Sequence, residues 1–420
     1  MKHIIVGASI AGLCAAKKIK EINPKDEVIV ISEENVKPYG KMTLPYLLSG
    51  EVTTEDYYLS IPDGIELLLN KEVIKIDTEN KSITTNSNEK FTYDKLLIAT
   101  GAHAYVPEIP GSTLPSIFSV RNLSDVGKIK ERVEKSNEKK VILSGAGLVN
   151  MEIGDALFKI GIPITYVVHS NRVLSQIIDG EASKIVEEEL SKHGIEVLKG
   201  ESIKEIEEKG GITFAKLESG KVLKGACVIF GKGVKPNIDF LKGSKIKTNR
   251  GVIVNEHLET NVRDVYAAGD VVEAKDIVYG DKRMHALWPV ADEQGKIAGA
   301  NMAGVALTYP GDVSRNILTV FGRNIFTGGI SKEDKFDVHR KNVNGEYRKI
   351  VVEKGKLRGF ILMGEVESPG VYLYIMKNEI EVSNLKNSLL YGSISYSELY
   401  PSVRKVALYG HLSLLKGNRE

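Results

Sequence analysis

Cysteine is almost missing from this chain: two residues in 420, Cys14 and Cys227. Two isolated thiols supply no disulfide framework, no CxxC pair and no ligand set for an iron–sulfur cluster. Both are expected to be small packed core residues, and their scarcity suits a reducing cytoplasm. Net charge is also small, +2 at pH 7, which gives no case for a nucleic-acid partner. No apolar run approaches the roughly twenty residues of a membrane span. The first strand begins at residue 3, so removal of a leader would destroy the first motif described below. A cytoplasmic protein with no membrane partner is therefore expected. The eight histidines are scattered without a paired spacing, and no Ser/His/Asp or nucleophile-elbow pattern stands in a helpful context, so no metal site is expected.

What the chain does contain is one turn written twice. Gly7-Ala8-Ser9-Ile10-Ala11-Gly12 follows the β-branched run His3–Val6, and Gly145-Ala146-Gly147-Leu148-Val149-Asn150 follows Val141–Leu143. Each then opens an apolar helical stretch. A glycine turn at a strand-to-helix junction presents backbone N–H groups and a helix dipole to a pyrophosphate, so two turns imply two nucleotides. After the first, Leu13–Lys20 has helical spacing, Asn23-Pro24 ends it, and Glu27–Ser32 reads as a strand. Glu33 then stands at the spacing from which an acid reaches a ribose hydroxyl. The stretch Phe91–Gly101, ending in Thr100 and Gly101, reads as one buried strand and a tight turn.

The second βαβ unit runs from Val141 to Val168, and its sheet is predicted to continue through Ile195–Leu198 and Ala226–Gly231, with Gly233 and Pro236-Asn237 leading out. Tyr266–Asp270 then returns to the first domain. Ala286–Gly295, with Trp288 and Pro289, precedes a small-residue helix at Lys296–Ala300. From about residue 324 the pattern turns to hairpins, Tyr347–Val352 and Leu357–Gly364 around Lys354-Gly355-Lys356, and then to helical spacing. From residue 324 to the end there are 15 Lys and Arg against 11 Asp and Glu, a surplus of four positive charges that favours an acidic partner. A chain of this length exceeds a single core and should divide into two or three domains.

The ordered set Gly7 to Glu33, Ala99-Thr100-Gly101, Gly145 to Glu152, Gly231 to Asn237 and Thr260 to Asp270 resembles the FAD-dependent pyridine nucleotide-disulfide oxidoreductases. The nearest branch contains rubredoxin reductases, NADH oxidases, coenzyme A disulfide reductases and the flavin module of nitrite reductases. The resemblance covers essentially the whole chain. It implies a glutathione-reductase-like α/β fold of two Rossmann-like domains plus a C-terminal α+β domain. FAD would be held by residues 1–112 and 244–323, NADH or NADPH by 113–243, and the floor under the flavin, with a homodimer surface, by 324–420. Gly7, Ser9, Ile10, Ala11, Gly12, Glu33, Thr100, Gly101, Gly269 and Asp270 fall on the family's FAD motifs. Gly145, Gly147, Leu148, Val149, Asn150 and Gly233 fall on its nucleotide motifs.

The resemblance also places Lys41, Thr43 and Pro45 around the isoalloxazine, Glu152 near flavin and nicotinamide, and Trp288 and Pro289 at a helix end facing the flavin pyrimidine. The bland readings of Glu152 as a solvated helix face and of Trp288 as a packing residue stay open beside these. Three departures stand out. Ser9 replaces the middle glycine of the first turn, and its small Cβ should be tolerated. Asn150 replaces the third glycine of the second, and His169 stands where a ribose acid is usual. With no acid to repel a 2′-phosphate, His169, Ser170 and Arg172 can supply donors to one, so NADPH, NADH and a decayed site are all open readings. Finally, Met42 stands where thiol-using relatives carry cysteine, and a thioether forms no thiolate. The expected enzyme transfers electrons between NAD(P)H and a small ferredoxin- or rubredoxin-like carrier through flavin. The alternatives are an oxidase reducing oxygen, and a flavoprotein regulatory or assembly module.

Overall fold

The computed structural model describes residues 1–53, 57–343, 345–366 and 368–399. The chain forms two compact units, Met1–Val173 with Leu190–Asp312, and Leu174–Glu189 with Val313–Glu420. The first unit holds two parallel sheets. In one, Lys2–Val6 lies between Glu27–Ile31 and Lys95–Ile98, with Glu66–Leu68 and Val265–Ala267 at the edges. In the other, Val141–Ser144 lies between Ile164–Val168 and Cys227–Phe230, with Glu196–Lys199 and Ile117–Phe118 outermost. Strands covered on both faces read as unbroken apolar runs. Ile4, Ile5, Leu96 and Leu97 in the first sheet and Ile142, Leu143 and Ile229 in the second are accordingly fully buried. Each such side chain contributes about 1.5–3 kcal/mol through burial.

The return of Val265–Ala267 beside Lys95–Ile98 brings the late motif into the first sheet, as its sequence pattern implies. The expected strand Phe91–Gly101 is instead two strands. Lys90–Thr92 joins an antiparallel ribbon with Ser82–Thr85 and Val73–Asp77, and only Lys95–Ile98 enters the parallel sheet. The physical signal is the change from alternation at Phe91-Thr92 to the continuous run Leu96-Leu97-Ile98. The helix expected at Lys296–Ala300 begins eight residues earlier, spanning Trp288–Met302 with Pro289 in its first turn, where a missing N–H costs nothing.

The second unit is built on an antiparallel sheet ordered Arg315–Val320, Arg323–Gly329, Lys356–Met363, Glu346–Glu353, Asp337–Val343. Its pattern thus starts earlier than residue 324. Phe321 and Gly322, both with positive φ, close the first hairpin, and Lys354-Gly355 close another. Leu174–Glu189, which the sequence reading assigned to the middle domain, groups with this sheet. Buried Asp179 accepts a hydrogen bond from the Tyr347 hydroxyl at 2.7 Å and pairs with the fully buried Lys349 at 3.1 Å. Helices Pro369–Lys377 and Lys386–Tyr391 follow. Residues 400–420 of the expected C-terminal domain lie outside the described residues.

Candidate active site

The first helix, Ile10–Ile22, starts from Ser9, whose side chain makes no cap hydrogen bond. The N–H groups of its first turn are therefore left for another acceptor. A Cβ on Gly7, where φ is +117°, would stand 2.1 Å from the carbonyl oxygen of Ala99, and one on Gly12 would stand 1.9 Å from that of Gly7. Both glycines are required by packing. Gly7, Ser9, Ile10 and Ala11 line a cleft of about 680 Å³, whereas Gly12 lies behind it. That volume falls within the range for cofactor sites, roughly 300–1,000 Å³.

The late motif closes one side of the cleft. Gly269 donates its N–H to buried Gln294 at 2.8 Å, and Asp270 accepts from the Arg121 guanidinium at 2.6 Å. Arg121 also donates from Nε to the carbonyl of Ala102 at 2.8 Å, tying Asp270 to the turn after Thr100-Gly101. Gln294 belongs to the Trp288 helix, which crosses the first helix on small residues. A Cβ on Gly295 would meet the carbonyl oxygen of Ala11 at 2.3 Å, and one on Gly299 that of Ala15 at 2.5 Å. This crossing carries Trp288, at the helix start, into the cleft wall; Pro289 lies outside it.

Thr100 and Asn237 clasp one another across the chain. The Thr100 hydroxyl donates to the Asn237 carbonyl at 2.9 Å, and the Asn237 amide returns a bond to the Thr100 carbonyl at 2.8 Å. Glu33 lines the cleft, and burial raises its carboxyl above the usual range against the lowering influence of Lys41. Lys41 reaches the cleft with its ammonium held by Glu34 at 2.7 Å, while the buried Tyr39 hydroxyl donates to the other Glu34 oxygen at 2.6 Å. Pro45 is on the wall, but the Thr43 hydroxyl turns to the carbonyl of Gly40 at 2.6 Å and Thr43 is not part of the lining.

From the second turn, Val149 and Glu152 reach the same cleft. Helix Leu148–Lys159 again starts without a side-chain cap. Glu152 is half-buried, and burial, reinforced by the Asp155 charge, pushes its carboxyl up to about 7. Asn150 is fully buried. Its amide donates to the carbonyls of Gly145 at 2.9 Å, Ser144 at 3.1 Å and Ile229 at 3.4 Å. It is thus a strut inside the turn and offers no surface to a ligand. Gly145, Gly147, Leu148 and Gly233 stand outside the cleft lining, as do His169 and Arg172. His169, exposed, hydrogen-bonds Ser202 at 3.0 Å, and the carbonyl of half-buried Arg172 accepts from Ser170 at 2.7 Å.

No thiol lines the cleft. Met42 does, 60 % exposed. The Cys14 thiol donates to Asp292 at 3.0 Å and is pushed up to about 12 by burial, and Cys227 is buried within its strand. Among the described residues no cluster of three or more His, Cys, Asp or Glu could hold a metal, and no helix is long and apolar enough to cross a membrane. Arg121, Glu34 and Tyr39 are site residues that the sequence pattern does not single out, and Asn237 stands there only as the end of the Gly231–Asn237 motif.

Residues 1–295 match the family model for pyridine nucleotide-disulphide oxidoreductases. The chain belongs to that family. Residues 315–380 match the model described as the rubredoxin NAD+ reductase C-terminal domain. An NADH oxidase of Methanocaldococcus jannaschii is 33 % identical over 323 residues, 74 % of this chain and 72 % of that one. An NADH-rubredoxin oxidoreductase of Clostridium acetobutylicum is 29 % identical over 371 residues, 87 % and 91 % of the two chains. The crystal structure titled NADH:rubredoxin oxidoreductase from that organism superposes with a TM-score of 0.76 at 27 % identity, covering 91 % of this chain and 97 % of that one. This family member is a flavoprotein oxidoreductase that uses FAD and NAD(P)H. Its residues fit the flavin dinucleotide: an uncapped helix start, a turn that admits no Cβ at Gly7 or Gly12, and a cleft of sufficient size meet at one place.

Proposed function

We propose that this oxidoreductase passes electrons between NAD(P)H and a small iron–sulfur or rubredoxin-type protein, with no cysteine in the relay. The single observation that carries the reading is Met42. It stands at the cleft where a relay thiol would be needed, and neither cysteine of the chain lines that cleft. Bound flavin supplies the capacity to take two electrons together and release them singly. The chain's own residues provide position and field. The two uncapped helix starts bind the two nucleotides, and Glu152 and Val149 orient the donor beside Lys41 and Pro45. The positive end of the Trp288 helix dipole favours the anionic reduced state.

The carrier is supported by the rubredoxin-reductase C-terminal match and by the name of the Clostridium relative. The positive surplus after residue 324 favours an acidic protein. The assignment of residues 1–112 and 244–312 to FAD, and of 113–173 with 190–243 to the donor, belongs to the same proposal, with the bounds corrected for the segments that group with the C-terminal sheet, as does a homodimer through the C-terminal domain. The name of the Methanocaldococcus relative favours oxygen reduction as a second reading. Asn150 gives no support to the idea of a decayed nucleotide site, because its amide is bonded to the carbonyls of Ser144 and Gly145 at the turn and of Ile229 in the neighbouring strand; His169, exposed and outside the cleft lining, is what that reading still rests on.

Steady-state turnover decides between carrier and oxygen. NAD(P)H oxidation should accelerate severalfold on adding rubredoxin or ferredoxin and slow again as salt is raised, since steered encounters are screened over about 8–10 Å at ordinary ionic strength. Oxygen consumption that no carrier accelerates would refute the carrier and support the oxidase.

A further inference from the structure

Lys232 follows the strand Cys227–Phe230, whose last residue pairs with Ser144 at the entrance to the second turn. Gly231 donates its N–H to the Ser144 carbonyl at 2.9 Å, fixing the course of the chain immediately before the lysine. The lysine stem then lies over the turn. Its Cδ is 3.7 Å from the position a Cβ on Gly145 would take. Although Lys232 is half-buried, it makes no hydrogen bond or ion pair among the described residues. Burial lowers its ammonium below the usual lysine value, opposed only by the exposed Glu218. A lysine ordinarily snorkels to solvent or finds a carboxylate. Here a lysine without a hydrogen bond or ion pair lays its stem against the turn that leads into the uncapped N-terminus of helix Leu148–Lys159.

We propose that Lys232 is the cation that holds the diphosphate of the pyridine nucleotide at the second turn. The inference rests on the reading of that turn as the NAD(P)H site. An anion there gains the helix-start N–H groups on one side and the ammonium on the other, and Lys232 gains the partner it lacks. Because the diphosphate is common to NADH and NADPH, Lys232 sets the strength of donor binding and leaves the choice between donors to the region of His169 and Arg172.

The test is equilibrium binding to the flavin-loaded protein, measured for NADH, NADPH and ADP-ribose, with adenosine as a ligand lacking phosphate. Lys232→Met is expected to weaken the first three alike, by roughly tenfold or more, as loss of a charge-assisted hydrogen bond requires. Adenosine binding, flavin content and thermal midpoint should stay unchanged, and Lys232→Arg should restore binding to within a few-fold. Unchanged affinities in Lys232→Met would overturn the role of Lys232 while leaving the nucleotide site intact. Weakening confined to NADPH would overturn it too, since that contact would be to the 2′-phosphate. If the unaltered protein binds none of the three, the nucleotide reading fails and this inference with it.

Discussion

The two nucleotide turns solve one packing problem in opposite ways. In the first, Gly12 gives the helix its close approach, with no room for a Cβ against the carbonyl of Gly7. In the second, the equivalent residue is the larger Asn150, and the space is found across the interface at Gly231. A Cβ on Gly231 would fall 2.3 Å from the Asn150 Cγ. The glycine has moved from the helix to the neighbouring strand end, and the amide that replaces it binds the turn carbonyls. A motif read one residue at a time registers Asn150 as a loss. In three dimensions Asn150 and Gly231 form a matched pair, and the turn is as tightly specified as the first.

Three changes should break or sharpen this contrast. Gly12→Val places a branched side chain where even a Cβ does not fit, and is expected to abolish flavin retention in the purified protein, read from its visible absorbance. Retention of full flavin content would show that the first helix does not need its close approach. Gly231→Ala is expected to cost about 2 kcal/mol of stability, within the 1–3 kcal/mol range for core overpacking, because Asn150 must abandon its carbonyls. Adding Asn150→Gly should recover part of that loss, the signature of coupled neighbours. Additive effects in denaturant melts would dissolve the pair.

The smallest effect concerns Glu152, an acid in the second helix at the position where the first helix carries Cys14. Glu152 titrates at about 7 in the folded protein, against an ordinary 4.5. The folded state therefore binds the extra proton between those values, and stability relative to Glu152→Gln should fall as pH rises from about 4.5 through about 7. Flavin reduction by NAD(P)H should show a step near pH 7 that the Gln variant lacks. A flat difference between the two proteins across that window would place Glu152 in solvent.

Much of this was legible before any coordinates. Gly7, Gly145 and the Asp270 motif announce themselves because a glycine turn between a β-branched run and an apolar helix is local in sequence. Arg121 was not legible. Its neighbours Asn122 and Asp125 form a capping box that marks a helix start, but its partner Asp270 is 149 residues away. Asn237 and Thr100 are likewise joined only through the fold. The start of the Trp288 helix is not legible in the sequence because its first half contains Pro289 and mixed polarity, whereas in the fold the helix is held by the glycine crossing with Ala11 and Ala15.

An anaerobic titration of the purified flavoprotein with NADH or NADPH most directly tests whether this enzyme works through flavin without a thiol relay. Full bleaching of the visible flavin band should be complete at one equivalent of donor per FAD, because Met42, Cys14 and Cys227 store no electrons. A requirement for two equivalents, or a flavin that neither donor reduces, would contradict it.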